Sequence, residues 1–290
     1  MKSENTQLVS EEVVINDLRS SDYEELYPLI SPPHLGYVDE KFLKKVFKPE
    51  GPDVVTGLAL RAGGKLVGCM GFIPQERVTR EGNTVQTVNL TCAVSHPDYR
   101  GYGLKLFRQL NKFDDVLFTA LSASDVADVI YRKVCKAREQ SGGFQIVDGV
   151  LVDVSQVEAH VDEFDLSYLS DYEKSLYFSH EDLECNQFLI KSEEEVCFLI
   201  TRKVKLEDKL CSEIVYFGHE DLFVSHIPAI SKLIKEHDKS EHCVISLADT
   251  PVCLINLESQ IKMKEPRVTF GIDVDIPFIS LHSENLIFGL

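Results

Sequence analysis

Thr87-Val88-Asn89-Leu90-Thr91-Cys92-Ala93-Val94-Ser95-His96-Pro97-Asp98-Tyr99-Arg100-Gly101-Tyr102-Gly103-Leu104 is the stretch whose reading decides the fold. An apolar, strand-like run meets a turn with two glycines. Leu106, Phe107, Leu110 and Phe113 then follow at helical spacing. The pattern predicts a strand-loop-helix unit. Glycine lets a backbone approach a ligand without a Cβ in the way. The first N–H groups of a helix have no internal partners, and its dipole favours an anion there. A phosphate or pyrophosphate suits such a loop, and Arg100 adds a charged donor beside it.

The next segments extend the reading. Asp115 to Leu121 is apolar enough for a second buried strand, and Ser124 opens a helical pattern that carries Ala127, Tyr131 and Lys133. With both units in view, the chain resembles the GNAT superfamily of acyl-CoA-dependent N-acetyltransferases. The family pattern V-x-P-x-x-R-G-x-G falls on Ser95 to Gly103. The pattern N-x-x-A-x-x-x-Y-x-K falls on Ser124, Ala127, Tyr131 and Lys133, with Ser in place of Asn. Read as R/Q-x-x-G-x-G/A, the signature runs from Asp98 to Gly103, which puts an anion at its first position. The G-F that usually follows the tyrosine helix is replaced by Val134-Cys135.

The resemblance implies a mixed α/β GNAT fold with a twisted central sheet and acetyl-CoA as cosubstrate. It places the cosubstrate on Ala93, Val94, Ser95, Arg100, Gly101, Tyr102, Gly103, Leu104 and Ser124. It makes a backbone N–H between Ala93 and Ser95 the oxyanion donor, and Tyr131 the general acid for the leaving thiolate. Histone-type relatives carry a base carboxylate on the fourth strand. Thr87-Val88-Asn89 stands in that region here, so Glu76, His96 or a water chain is left for the role.

The 290 residues suffice for one large or two ordinary domains. No run of 18 apolar residues occurs, and Met1 to Glu12 lacks the basic-then-apolar order of a secretory signal. Eight scattered cysteines without a C-x-x-C pair read as reduced thiols. A cytoplasmic location is expected on these grounds. The net charge of −17 argues against a nucleic-acid partner. No metal site is expected: His237 and His242 lie on different faces of a helix end, with no carboxylate pair.

Further signals give the order β-α-α-β-β-β-α-β-α-β over the first 152 residues. Among them are a hairpin at Ala62-Gly63-Gly64, a capping box at Ser21 to Glu24, and a last strand from Gln145 to Val152. The expected division is 1–152 as the acetyltransferase domain, 153–185 as a helical or irregular connection, and 186–290 as a second, smaller α/β unit. That unit reads as a degenerate GNAT-like half. It has strands at 187–190, 196–204, 212–217 and 244–247, a helix at 228–237, and two further strands at 250–257 and 268–274. The expected function is transfer of an acetyl group to the primary amine of a small molecule, an amino sugar being one case. The alternative is a non-catalytic CoA-binding or regulatory module.

Overall fold

The computed structural model describes residues 12–31, 39–140, 142–148, 157–256, 259–262, 267–278, 280–281 and 287. Two mixed sheets of seven strands each carry the chain. The first begins with β1 (Val13–Arg19), β2 (Val55–Ala62), β3 (Lys65–Val78) and β4 (Thr84–Ser95), each antiparallel to the one before. Gly63 and Gly64 both have positive φ, 55° and 85°. That is the conformation a two-residue hairpin turn requires, and it seats Ala62 opposite Lys65. β5 (Val116–Ala120) then joins β4 in parallel.

α1 (Tyr23–Ile30) and α2 (Glu40–Phe47) cover one face of this sheet. The carboxylate of Asp39 caps α2 through the Lys41 N–H, and the spacing of Phe42, Leu43, Val46 and Phe47 turns one stripe into the core. At α1 the cap differs from the expectation: Asp22 accepts the Arg19 N–H at 2.9 Å, and a 3-10 turn over Ser20–Asp22 precedes the helix. α3 (Leu104–Leu110) and α4 (Asp125–Val134) cover the opposite face with Leu106, Phe107, Leu110 and Tyr131.

The second half repeats the plan. β8 (Glu158–Val161), β9 (Asn186–Ser192), β10 (Glu195–Leu206) and β11 (Lys209–Phe217) are antiparallel, and β12 (His242–Ser246) joins β11 in parallel. α6 (Glu220–Asp238) follows β11 as α3 follows β4, and packs on the outer face of its sheet. α5 (Asp171–His180) lies in the shared core between the sheets, where Leu176 and Leu183 meet Leu18, Leu26 and Phe47. The segment expected as a connection thus supplies an edge strand and a core helix.

The last positions of the two sheets are exchanged. The first sheet runs β1-β2-β3-β4-β5, then β14 (Val268–Gly271) and β6 (Arg138–Glu139), and the second, read from its far edge, β8-β9-β10-β11-β12, then β7 (Gly143–Ile146) and β13 (Gln260–Lys262). β7 comes from the first half but pairs with β12, and β14 comes from the second half but lies between β5 and the short β6. β13 closes the second sheet beside β7. The strand expected from Gln145 onward is therefore present as Gly143–Ile146, but it completes the other sheet. Residues 149–152 of that expectation lie outside the described residues. The strand expected at 250–257 is instead a 3-10 turn over Val252–Leu254, opened by Pro251. None of the eight cysteines, all among the described residues, is in a disulfide. Among the described residues no helix is long and apolar enough to cross a membrane.

Candidate functional site

The site is built by a ladder that stops early. β4 and β5 pair only from Gln86 opposite Val116 to Asn89 opposite Thr119, although β4 continues to Ser95. At the last pair the Asn89 side chain donates from Nδ2 to Thr119 Oγ1 at 2.8 Å, with both residues buried. Just beyond, β4 bulges: Gly71 is opposite Thr91, but Cys69 is opposite Val94. Cys92 takes the left-handed conformation there (φ 49°). A bulge re-aims the strand, and the result is an exposed Ala93 and half-buried Val94 and Ser95 along a strand edge that β5 does not cover.

The loop after β4 folds back on this edge. Its first N–H, on His96, donates to Val67 C=O and continues the β3 ladder. Pro97–Tyr102 form a 3-10 turn, and Gly103 leads into α3. Neither Gly101 nor Gly103 is among the positive-φ glycines. A Cβ built on Gly101 would meet nothing within 4 Å. The local backbone therefore does not require glycine at 101; its effect is to leave space. A Cβ on Gly103 would lie 3.3 Å from Ser95 Oγ, and its N–H already donates to Arg100 C=O at 3.2 Å. Arg100 and Tyr102 are exposed, and Arg100 takes part in no ion pair among the described residues. Leu104 opens α3. His96 is turned to its own loop: its Nδ1 accepts the Asp98 N–H and lies 3.6 Å from the Asp98 carboxylate.

Ser124 caps α4, its Oγ accepting the Ala127 N–H at 3.3 Å. Tyr131, on the same helix, is 3 % exposed, with its ring centroid 5.0 Å from that of Phe107 and 5.6 Å from that of Phe270. It shares this core with Leu90, on β4, and Ala120, at the end of β5. Glu76 stands elsewhere. It is exposed on β3 opposite Gln86, whose Nε2 donates to it at 3.3 Å, at the end of β4 remote from Ser95. The structure thus brings Ser95 and Gly103 together at the end of β4, sets Tyr131 in the core that Leu90 of β4 and Ala120 of β5 share, and leaves Glu76 apart. Two of the neighbouring thiols are poor nucleophiles: burial pushes Cys135 up to about 11 and Cys69 higher.

The sequence reading missed the Asn89–Thr119 pair. Its only signal was Thr119 in the otherwise apolar β5; Asn89 stands in a strand that also carries Gln86, Thr87 and Thr91. His237 and His242 also find partners of their own, Asp238 at 3.0 Å and Asp148 at 2.7 Å. No group of three metal-ligating side chains occurs among the described residues.

No family model matches the chain, and no curated protein matches it. Solved structures do. A GCN5-related N-acetyltransferase from Anabaena variabilis matches 90% of this chain and 73% of its own, at 11% identity and a TM-score of 0.59. One from Kribbella flavida matches 90% and 71%, at 13% identity and 0.56. A putative acetyltransferase from Pyrococcus horikoshii matches 98% and 97%, at 13% identity and 0.50. The likeness spans both sheets.

Proposed function

We propose that this chain, which has the GCN5-related N-acetyltransferase fold in two GNAT-like halves, is an acyl-CoA N-acyltransferase that acetylates the primary amine of a small molecule. The observation that carries the reading is the β4 edge left uncovered beyond Asn89, beside a glycine with nothing within 4 Å of its missing side chain. A strand edge with unladdered N–H and C=O groups is a template for an extended amide chain, and the arm of CoA is one. The open space at Gly101 and the exposed guanidinium of Arg100 suit its diphosphate. The fit is therefore good on both sides of the loop. When bound, acetyl-CoA supplies a thioester, whose carbonyl carbon accepts an amine.

The chain's own residues have three tasks. A β4 N–H at the bulge, between Ala93 and Ser95, stabilises negative charge on the carbonyl oxygen. Asn89 and Thr119, tied to each other, fix the point where the strands part. Tyr131 is assigned the proton for the departing sulfur, which a phenol hydroxyl can give to a thiolate. No carboxylate stands on β4 at this point, so the amine loses its proton to solvent or to the acceptor's surroundings. The expected division at 152 is kept as a functional one: the first half holds the cosubstrate and the second shapes the acceptor side.

Calorimetric titration with acetyl-CoA tests the reading. Binding by the wild type and a loss of at least tenfold in Gly101→Glu are expected. Thiol release on adding an amine panel then separates catalysis from binding alone. No heat with acetyl-CoA would sink the proposal.

A further inference from the structure

We infer that the acceptor carries a large apolar group beside a carboxylate, as an α-amino acid with an aromatic side chain does, and that the apolar group sits in a cavity at the seam of the two halves. The fate of the amine rests on the acyl-transfer reading; the cavity and its ligand class do not. The cavity has a volume of about 270 Å³. At about 30 Å³ per packed heavy atom, the share of a water molecule in the liquid, it holds about nine heavy atoms. Val46, Val55, Phe72 and Ile73 wall it from the first half and Leu183 from the second. Apolar side chains dominate the lining, with Thr56, Gln75 and Ser179 as its neutral polar members, so the many hydroxyls of an amino sugar would lose more partners in water than they gain here.

The cavity lies next to the place where the β4–β5 ladder stops. Ile73 is directly opposite Asn89 in the β3–β4 ladder. Directly opposed residues of an antiparallel pair present their side chains on the same face, and neighbouring strands are about 4.8 Å apart. Ile73 packs in the core shared with the second half. The cavity wall is thus one strand away from the Asn89–Thr119 junction, on the face turned to the second half. An amino group a few bonds from the apolar group falls near that junction.

Charge completes the ligand. Lys45 lines the cavity, is exposed, and takes part in no ion pair among the described residues. In a chain of net charge −17, a lysine outside any such pair at an apolar cavity favours an anion, and a carboxylate is the one an amine-bearing metabolite most simply offers.

Calorimetry with L-phenylalanine on the full chain, with and without acetyl-CoA, tests this. Binding by the wild type is expected, with glycine and glucosamine inert. Lys45→Glu should weaken it at least tenfold. Ser179→Phe, which fills the cavity from α5, should abolish it, and Val55→Phe fills it from the other side should that variant fold poorly. No binding of L-phenylalanine to the wild type in either condition overturns the inference, as does equal binding by the wild type and the filled variants. If acetyl-CoA binds and L-phenylalanine does not, the cavity assignment fails alone. If L-phenylalanine binds and acetyl-CoA does not, the acyl-transfer reading fails and the cavity stands.

Discussion

The two halves contain the same junction, once open and once filled. In the first, the parallel ladder ends at Asn89 opposite Thr119, and Ala93 beyond it is exposed. In the second, the ladder ends at Ile214 opposite Ile245, and β11 continues through Val215, Tyr216 and Phe217. A register shift follows there too, between Ile200 and Thr201 of the facing strand. Yet those three β11 residues are only 2–6% exposed. Phe223 stacks on Phe217 at 4.3 Å, and Phe278 meets the edge of the same ring at 4.8 Å. The glycine that follows, Gly218, faces the carboxylate of Glu173 instead of open space. Aromatic rings occupy the space, and an anion stands where a phosphate would be wanted. The shared backbone plan therefore does not by itself leave room for a ligand; on the proposed reading, small side chains on one strand edge and an empty glycine do.

The largest expected effect breaks the filled side. Phe223→Ala removes a fully buried ring, and such changes cost about 3–5 kcal/mol. Chemical denaturation should show that loss while acetyl-CoA affinity, read at temperatures where the variant is folded, stays unchanged. A loss of affinity beyond the unfolded fraction would mean that the second junction also contributes to the cosubstrate site.

Tyr131→Phe probes the open side at the level of chemistry. The ring contacts with Phe107 and Phe270 are kept. If the hydroxyl protonates the leaving sulfur, kcat and kcat/KM fall together by about 10²- to 10⁴-fold. A variant with wild-type turnover on any accepted amine removes Tyr131 from the site and leaves it a core residue.

Next in size is a pair of opposed pH effects at the filled side. Asp249 accepts the Phe278 N–H, and burial pushes its carboxyl up to about 6, against the pull of Arg80 and Arg77. Burial pushes the imidazole of His180 down to about 4, helped by Arg77 and Lys45. The raised carboxyl stabilises the fold fully below about pH 4, and that contribution is lost as pH rises through 6. The depressed imidazole acts in reverse: its contribution is present above about 6.5 and lost as pH falls through 4. At about 1.4 kcal/mol per pH unit, each is worth at most about 3 kcal/mol. The two nearly cancel in the wild type. Between pH 4 and 6.5, Asp249→Asn should make Tm rise more steeply with pH, and His180→Gln should make it fall relative to wild type. Parallel profiles in all three proteins would refute both assignments.

The smallest effect belongs to the empty glycine. Gly101→Glu should lower acetyl-CoA affinity at least tenfold with Tm unchanged, because its Cβ enters open space. A fall in Tm without a fall in affinity would show that the glycine is conformational after all.

Much of the open junction was legible in the sequence. The Gly63-Gly64 turn, the β4-loop-α3 unit and the Ser124 cap are local, and local chemistry announces them. The filled junction was not legible. Pro228 reads as the first turn of a helix, where its missing N–H costs nothing, yet it lies inside α6, which begins eight positions earlier behind the His219 cap. The exchange of β7 and β14 left no trace either: Phe144-Gln145-Ile146 has the same pattern whichever sheet receives it. Asn89 was weighed only for lacking a carboxylate, since its partner Thr119 is set by the fold and not by spacing along the chain.

The exchange of strands also sets an order of events during synthesis. Val268 lies opposite Ala120, so the first sheet cannot be completed until residues near 270 have been made. Proteins usually fold unit by unit, the N-terminal one first, as they leave the ribosome. Here the earlier half must wait with the edge of β5 uncovered, a strand that invites pairing with other nascent chains. Long-range closure of this kind is slow. Closing the first sheet thus depends on a strand made about 150 residues later, and the topology itself sets that delay.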